Sequence, residues 1–176
     1  MRKLIIAVSA VAASVLAFAQ LGVASAAQNS QVNIIGTEKV VPNAIIFSTF
    51  QFAPGVTVVL RTGDSVTWND RTGAPHTVSI VRQDQLPKTF EQVMECAICG
   101  DVFAAHGDPP AAVVNNGQPG LDTPFAPGTA GDSLFIAPNG SASATVSASG
   151  GTTLYYQCAI HPWMQGRLQV LDLPGS

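Results

Sequence analysis

Close to the end of the sequence a thiol, an imidazole and a thioether recur at three-residue intervals, in Cys158-Ala159-Ile160-His161-Pro162-Trp163-Met164. A second imidazole stands far upstream, in Ala74-Pro75-His76-Thr77. Thiolate and thioether sulfur select soft metal ions, and imidazole suits copper, zinc and iron. Two histidines and one cysteine with a weak axial methionine are the donors of a mononuclear copper site that handles single electrons. Zinc is more usual with four strong ligands and no thioether. A buried free cysteine and a core methionine are each common alone, but that does not explain why Cys, His and Met coincide beside one tight turn. The pattern marks His76, Cys158, His161 and Met164 as candidate ligands of one copper ion.

A second constellation is Cys96-Ala97-Ile98-Cys99, followed by His106. Three readings compete. Residues one helical turn apart have Cα atoms about 5–5.5 Å from each other, which a disulfide can bridge. A C-x-x-C pair can instead form a redox-active dithiol with a depressed thiol pKa. Cys96, Cys99 and His106 could also hold an additional metal, although no fourth ligand follows. The chain has 3 cysteines, so pairing Cys96 with Cys99 leaves Cys158 over. In an oxidising compartment a leftover thiol is a liability unless something such as a metal occupies it.

The elements that must position these residues follow an N-terminal segment of different character. Arg2 and Lys3 precede an almost wholly apolar stretch from Leu4 to Phe18, and Ala24-Ser25-Ala26 fits a cleavage site. This is the pattern of a secretory signal peptide, assigned to residues 1–26. The apolar run is short for a membrane span of about 20 residues, and no cysteine near the cut would carry a lipid. The remaining residues, 27–176, suit a single domain. Without Arg2 and Lys3 its acidic side chains outnumber its basic ones by 5, since the whole chain has 8 Lys+Arg and 11 Asp+Glu. The acids are scattered and no basic stripe exists, which argues against nucleic acid as a partner.

Short runs rich in Val, Ile, Thr and aromatics predict strands at 32–35, 44–47, 57–61, 65–69 and 77–81, then at 133–137, 143–147, 152–158 and 166–172. Thr62-Gly63-Asp64 reads as a tight hairpin turn between two of them. About eight strands with regular turns and no long amphipathic helix indicate an all-β, two-sheet sandwich. An insertion at about 82–132 interrupts it. Apolar spacing from Phe90 to Phe103 fits a short helix, and a long loop rich in Pro, Gly and Asn follows.

With these motifs in view, the chain resembles the cupredoxin family, nearest its plastocyanin, amicyanin and halocyanin branch. Two stretches carry the resemblance. One runs from Phe52-Ala53-Pro54 through Gly63-Asp64-Ser65-Val66-Thr67-Trp68 to Ala74-Pro75-His76-Thr77-Val78; the other is Tyr156 to Gly166, with its compact Cys-x-x-His-Pro-x-Met loop. The resemblance implies a Greek-key β-sandwich, with His76, Cys158 and His161 as near-trigonal ligands of type 1 copper and Met164 as the long axial one. It also implies that Pro75 and Thr77 support the site. Family members often have Asn where Thr77 stands. Its backbone N–H is expected to point at the ligand sulfur, and its side chain to pin the two ligand loops together.

The expected function is single-electron carriage between a redox donor and acceptor, such as a cytochrome or an oxidoreductase. Export is expected, to the periplasm or beyond, with no stable membrane anchor after cleavage. One ring edge of His161 is expected near the surface, where Trp163, Pro162 and Ala74 would make an apolar docking patch. Multicopper oxidation needs several more His ligands, and the chain has 3 His in all and no His-x-His pair. A single-copper enzyme would require that Met164 not bind. Copper delivery favours exposed Met and His clusters, whereas only Met94 and Met164 follow the signal segment.

Overall fold

Alternation of apolar and polar side chains sends one face of most strands inward, as at Val32 and Ile34, Val66 and Trp68, or Leu168 and Val170. The structure, a computed structural model, describes residues 26–55, 57–114, 120–122 and 133–172. The strands among them are β1 (Asn29–Ile35), β2 (Glu38–Val41), β3 (Ile45–Ser48), β4 (Gln51–Ala53), β5 (Thr57–Leu60), β6 (Ser65–Asp70) and β7 (His76–Val81). After the insertion begins come β8 (Val113–Val114), β9 (Leu121–Asp122), β10 (Ser133–Ile136), β11 (Ser141–Val146), β12 (Thr153–Gln157) and β13 (Gln165–Val170). One sheet has the order β4-β1-β6-β11-β9 and the other β5-β13-β12-β7-β10-β8. Their inner faces share one core, built around Trp68, Tyr156, Phe52, Ile34 and Leu134. The expected two-sheet β-sandwich is therefore present. A separate hairpin, β2 with β3, stands apart from both sheets and exposes Val40, Ile45, Ile46 and Phe47.

The turn Thr62-Gly63-Asp64 is tight but is not a hairpin. It carries the chain from β5 in one sheet to β6 in the other. Gly63 takes φ +87°, a conformation in which a side chain is strained. The Asp64 carboxylate accepts the amides of Arg61 at 2.8 Å and Gln28 at 2.9 Å, and the Gly63 amide donates to Val146 across the sandwich edge. A turn so tied to a distant strand cannot also close a local ladder. Asn139 and Gly151, at φ 60° and 82°, belong to two more turns that change sheets. Within the two large sheets, β12 and β13 are the consecutive strands that pair directly.

The apolar spacing in the insertion yields two helices rather than one. The first, α1 (Phe90–Met94), is capped by Thr89, whose hydroxyl accepts the Gln92 amide at 3.3 Å. Cys96, with ψ 89°, breaks the run and opens α2 (Ala97–His106). This helix buries Cys99, Val102 and His106, and, with Val78 and Ile80 already in the core between the sheets, all six residues of β7 are buried. A strand covered on both faces is unusual for an antiparallel sheet with one solvated side; here the insertion supplies the second cover. The signal segment assigned from sequence lies outside the described residues, Ala26 excepted. Among the described residues, no helix is long and apolar enough to cross a membrane.

Candidate metal centre

Because β7 and β12 pair antiparallel, with Gln157 opposite Ser79, the start of one and the end of the other lie together. His76 opens β7, and Cys158 is the first residue past β12. His161 and Met164 follow on the turn that leads into β13. That turn is closed by its own backbone: the Cys158 amide donates to the Met164 carbonyl at 3.0 Å, and the Met164 amide to His161 at 2.8 Å. Three donor atoms converge as a result. His76 Nδ1 and His161 Nδ1 are 3.2 Å apart, and Cys158 Sγ lies 3.7 Å from His161 Nδ1 and 3.9 Å from His76 Nδ1. A metal with bonds of about 2.0 Å to nitrogen and about 2.3 Å to sulfur, in a trigonal plane, sets its donors about 3.5 Å (N to N) and about 3.7 Å (N to S) apart. The observed triangle fits such an ion. Met164 is buried in the same apolar cluster as Cys158.

Each donor is held from behind. His76 Nε2 lies 2.9 Å from the Thr72 hydroxyl and 3.9 Å from Asp70 Oδ1. The Asp70 carboxylate is itself fixed by the amides of Thr72 and Asn139, at 2.7 and 2.9 Å. A buried carboxylate behind Nε2 favours the proton there, which leaves Nδ1 free toward the cluster. The His161 ring packs between Phe50 and Trp163, with centroids at 4.9 and 5.3 Å. The Trp163 indole N–H donates to the Phe50 carbonyl at 3.2 Å, fastening that cover. Cys158 Sγ accepts the amides of Thr77 at 3.3 Å and His161 at 3.4 Å. The Thr77 hydroxyl accepts the Ala159 amide at 2.7 Å, joining the two ligand loops.

Electrostatics agree with a site prepared for a cation. Burial, reinforced by His161 and opposed by Asp70, lowers the His76 pKa to about 4. Burial likewise lowers that of His161, against Glu38. Both imidazoles are therefore neutral donors at neutral pH. Burial raises the Cys158 thiol, while the amides of Thr77, His161 and Ile160 and the Thr77 hydroxyl pull the other way. Without a cation the thiol keeps its proton, so binding a metal releases it.

The remaining sequence assignments divide. Cys96 and Cys99 form a disulfide, S–S 1.96 Å, so neither offers a thiolate beside His106. The second-metal reading is thereby corrected: His106 is buried in the protein, directed at the Ala111 carbonyl and the Ser133 hydroxyl. Among the described residues, His76, Cys158 and His161 form the one metal-competent cluster. Pro162 is buried and cannot line a docking patch. His161 is only 7% exposed, because Phe50 and Trp163 roof it. Trp163 is exposed and Ala74 half-buried. Sequence reasoning missed Asp70, Thr72 and Phe50 behind the donors. It also missed Ile46, Phe90 and Met94, which line a groove with Ser48 and Trp163. The small polar residues ahead of His76, in Asp70-Arg71-Thr72, were the available signal; the apolar hairpin carried none.

No family model matches the chain, and no curated protein matches it. Among solved structures it is similar to a reduced, Cu(I) form at pH 4 of a proline-to-glycine mutant of amicyanin, at 18% identity and TM-score 0.40, over 85% of this chain and 86% of that one. It is also similar to amicyanin from Paracoccus versutus (Thiobacillus versutus), at 12% identity and TM-score 0.39, over 81% and 80% of the two chains. A third is the multicopper oxidase mgLAC, at 18% identity and TM-score 0.42; the match covers 85% of this chain but only 41% of the oxidase.

Proposed function

We propose that this cupredoxin-like β-sandwich is an exported electron carrier that holds one type 1 copper ion on His76, Cys158, His161 and Met164. The observation that carries the reading is the buried triangle of His76 Nδ1, His161 Nδ1 and Cys158 Sγ at 3.2–3.9 Å. Copper in such a donor set cycles between Cu(I) and Cu(II), exchanging one electron. The chain's part is to keep the donors still. Thr72 and Asp70 hold His76, Trp163 and Phe50 hold His161, and two amides hold the Cys158 sulfur. Ala159 and Thr77 lock the two loops together. A frame that needs no rearrangement when charge changes suits carriage of electrons. Catalysis needs an open coordination position, and a buried Met164 beside buried donors does not favour one.

The docking face of this reading is the roof over His161. Trp163 is 43% exposed there, beside Ile46, Phe90 and Met94 at 69%, 73% and 68%. An exposed apolar patch of this kind suits transient contact with a redox protein. Pro162 has no part in it. The periplasm is the proposed location, following removal of residues 1–26.

Adding Cu(II) to the purified metal-free chain tests the reading. A strong thiolate-to-copper band in the visible, absent from Cys158→Ser, is expected. A colourless Cu(II) adduct overturns it, as does a Cys158 tied up in a cystine.

A further inference from the structure

Thr77, Ser79 and Ser133 lie on the outer face of their sheet and yet are fully buried, because α2 covers them and brings in His106. Their side chains form one continuous series. His106 Nδ1 is 2.6 Å from the Ala111 carbonyl, which can only accept, so Nδ1 carries a proton. On the other side of the ring, Nε2 lies 2.9 Å from Ser133 Oγ. From there the steps are 2.8 Å to Ser79 Oγ and 3.0 Å to Thr77 Oγ1. Thr77 Oγ1 accepts the Ala159 amide, and the Thr77 amide reaches Cys158 Sγ.

Each hydroxyl owns one proton, so the series has two self-consistent directions. With His106 neutral, Ser133 donates to Nε2, Ser79 to Ser133 and Thr77 to Ser79, and every hydroxyl points away from the sulfur. With His106 protonated, Nε2–H donates to Ser133, Ser133 to Ser79 and Ser79 to Thr77. The Thr77 hydroxyl proton is then released from the series. We propose that His106 is a positioning residue for the Cys158 sulfur, acting through Ser133, Ser79 and Thr77, and that its protonation turns the Thr77 hydroxyl onto that sulfur. The added proton comes from water and stays on His106. Each hydroxyl rotates with its own proton, and none is transferred to Cys158.

Among the described residues, the elements packed against His106 leave this titration to the ring itself. The strands packed against it, β8 and β10, carry no ionisable side chain, and Phe135 of β10 lies 5.9 Å from the ring. On α2 the other ionisable residue outside the disulfide is Asp101, and Asp108 lies in the turn that follows. Burial lowers the His106 pKa and the Ala111 carbonyl opposes it, so uptake occurs on the acid side of the ordinary histidine range. A hydroxyl on a thiolate withdraws negative charge from it, which favours the reduced form of a bound copper. That last consequence rests on the copper reading; the hydroxyl series does not.

The test therefore begins on metal-free protein. In NMR titrations of the purified chain, the Ala159 amide shift is expected to follow the His106 ring. In Ser79→Ala the ring should still titrate while the Ala159 response is lost. Ser133→Ala interrupts the series one step earlier and serves if Ser79→Ala does not fold. An Ala159 amide blind to His106 in the parent chain overturns the proposal, as does one that follows it equally in the interrupted variants. So does a His106 that stays neutral until the chain unfolds. In copper-loaded protein, a rise in reduction potential toward acid pH that diminishes in Ser79→Ala is expected; an undiminished rise counts against the proposal. A chain that takes no copper sinks the function proposed above and leaves the amide result standing.

Discussion

At the scale of single residues, each donor depends on a neighbour that holds it: Thr72 and Asp70 for His76, Phe50 and Trp163 for His161, and the Thr77 amide for Cys158. Cys158, His161 and Met164 stand at fixed spacing on one turn, and Pro75-His76-Thr77 carries the resemblance of the other loop. Asp70 and Thr72 act on His76 only because the chain folds back on itself between β6 and β7, a geometry that no spacing rule encodes. Thr72→Val keeps the size of the side chain and removes the hydroxyl facing His76 Nε2. Loss of such an outer partner typically costs 10–100-fold in metal affinity. Competition against a chelator should show a drop of about that size, with folding intact. An unchanged affinity would mean that Asp70 alone orients the ring. Thr77→Val strands the buried Ala159 amide, whose 2.7 Å bond it removes. Leaving a buried donor unsatisfied costs about 1–3 kcal/mol, which urea denaturation of the metal-free chain should register.

At the scale of elements, the strand pattern was readable because side chains alternate, but their partners were not. Thr62-Gly63-Asp64 looks like a hairpin in sequence; only the bonds from Asp64 to Gln28 and from Gly63 to Val146 reveal a change of sheet. The polar Thr77 and Ser79 lie on the outer face of β7 and are nevertheless buried. The disulfide belongs to the insertion. Cys99 packs against Ala159, and the Gln157 side-chain amide lies 3.2 Å from Cys99 Sγ, so the bridge touches both neighbours of Cys158. The chain-entropy relation for so short a loop gives about 2 kcal/mol. A Cys96→Ser, Cys99→Ser chain should lose roughly that much stability to urea. In the parent chain, unfolded without reductant, alkylation should mark Cys158 alone.

At the scale of the whole molecule, three buried histidines give the metal-free chain an acid limit. His76, His106 and His161 all have pKa values lowered by burial. A group that binds protons less readily when folded adds stability in full above its unfolded pKa of about 6.5, and that stability fades as the pH falls toward the folded value. For His76, at about 4, the loss between pH 7 and 4 is about 3 kcal/mol. Urea midpoints of the metal-free chain should be level between about pH 7 and 8, below the range where an unfolded thiol ionises and the buried Cys158 does not, and fall steadily below about 6.5; a midpoint that rises toward acid contradicts these shifts. Trp163→Ala should slow electron exchange with a protein partner while leaving the visible band in place, as stopped-flow mixing would show. The burial of β7 on both faces also limits what a protein engineer can remove. Cutting the chain back to its two sheets would spare every donor atom. It would also flood Thr77 and Ser79 with solvent and strip the lid from Ala159, so a minimal version would bind its ion beside a wet, loosened sulfur.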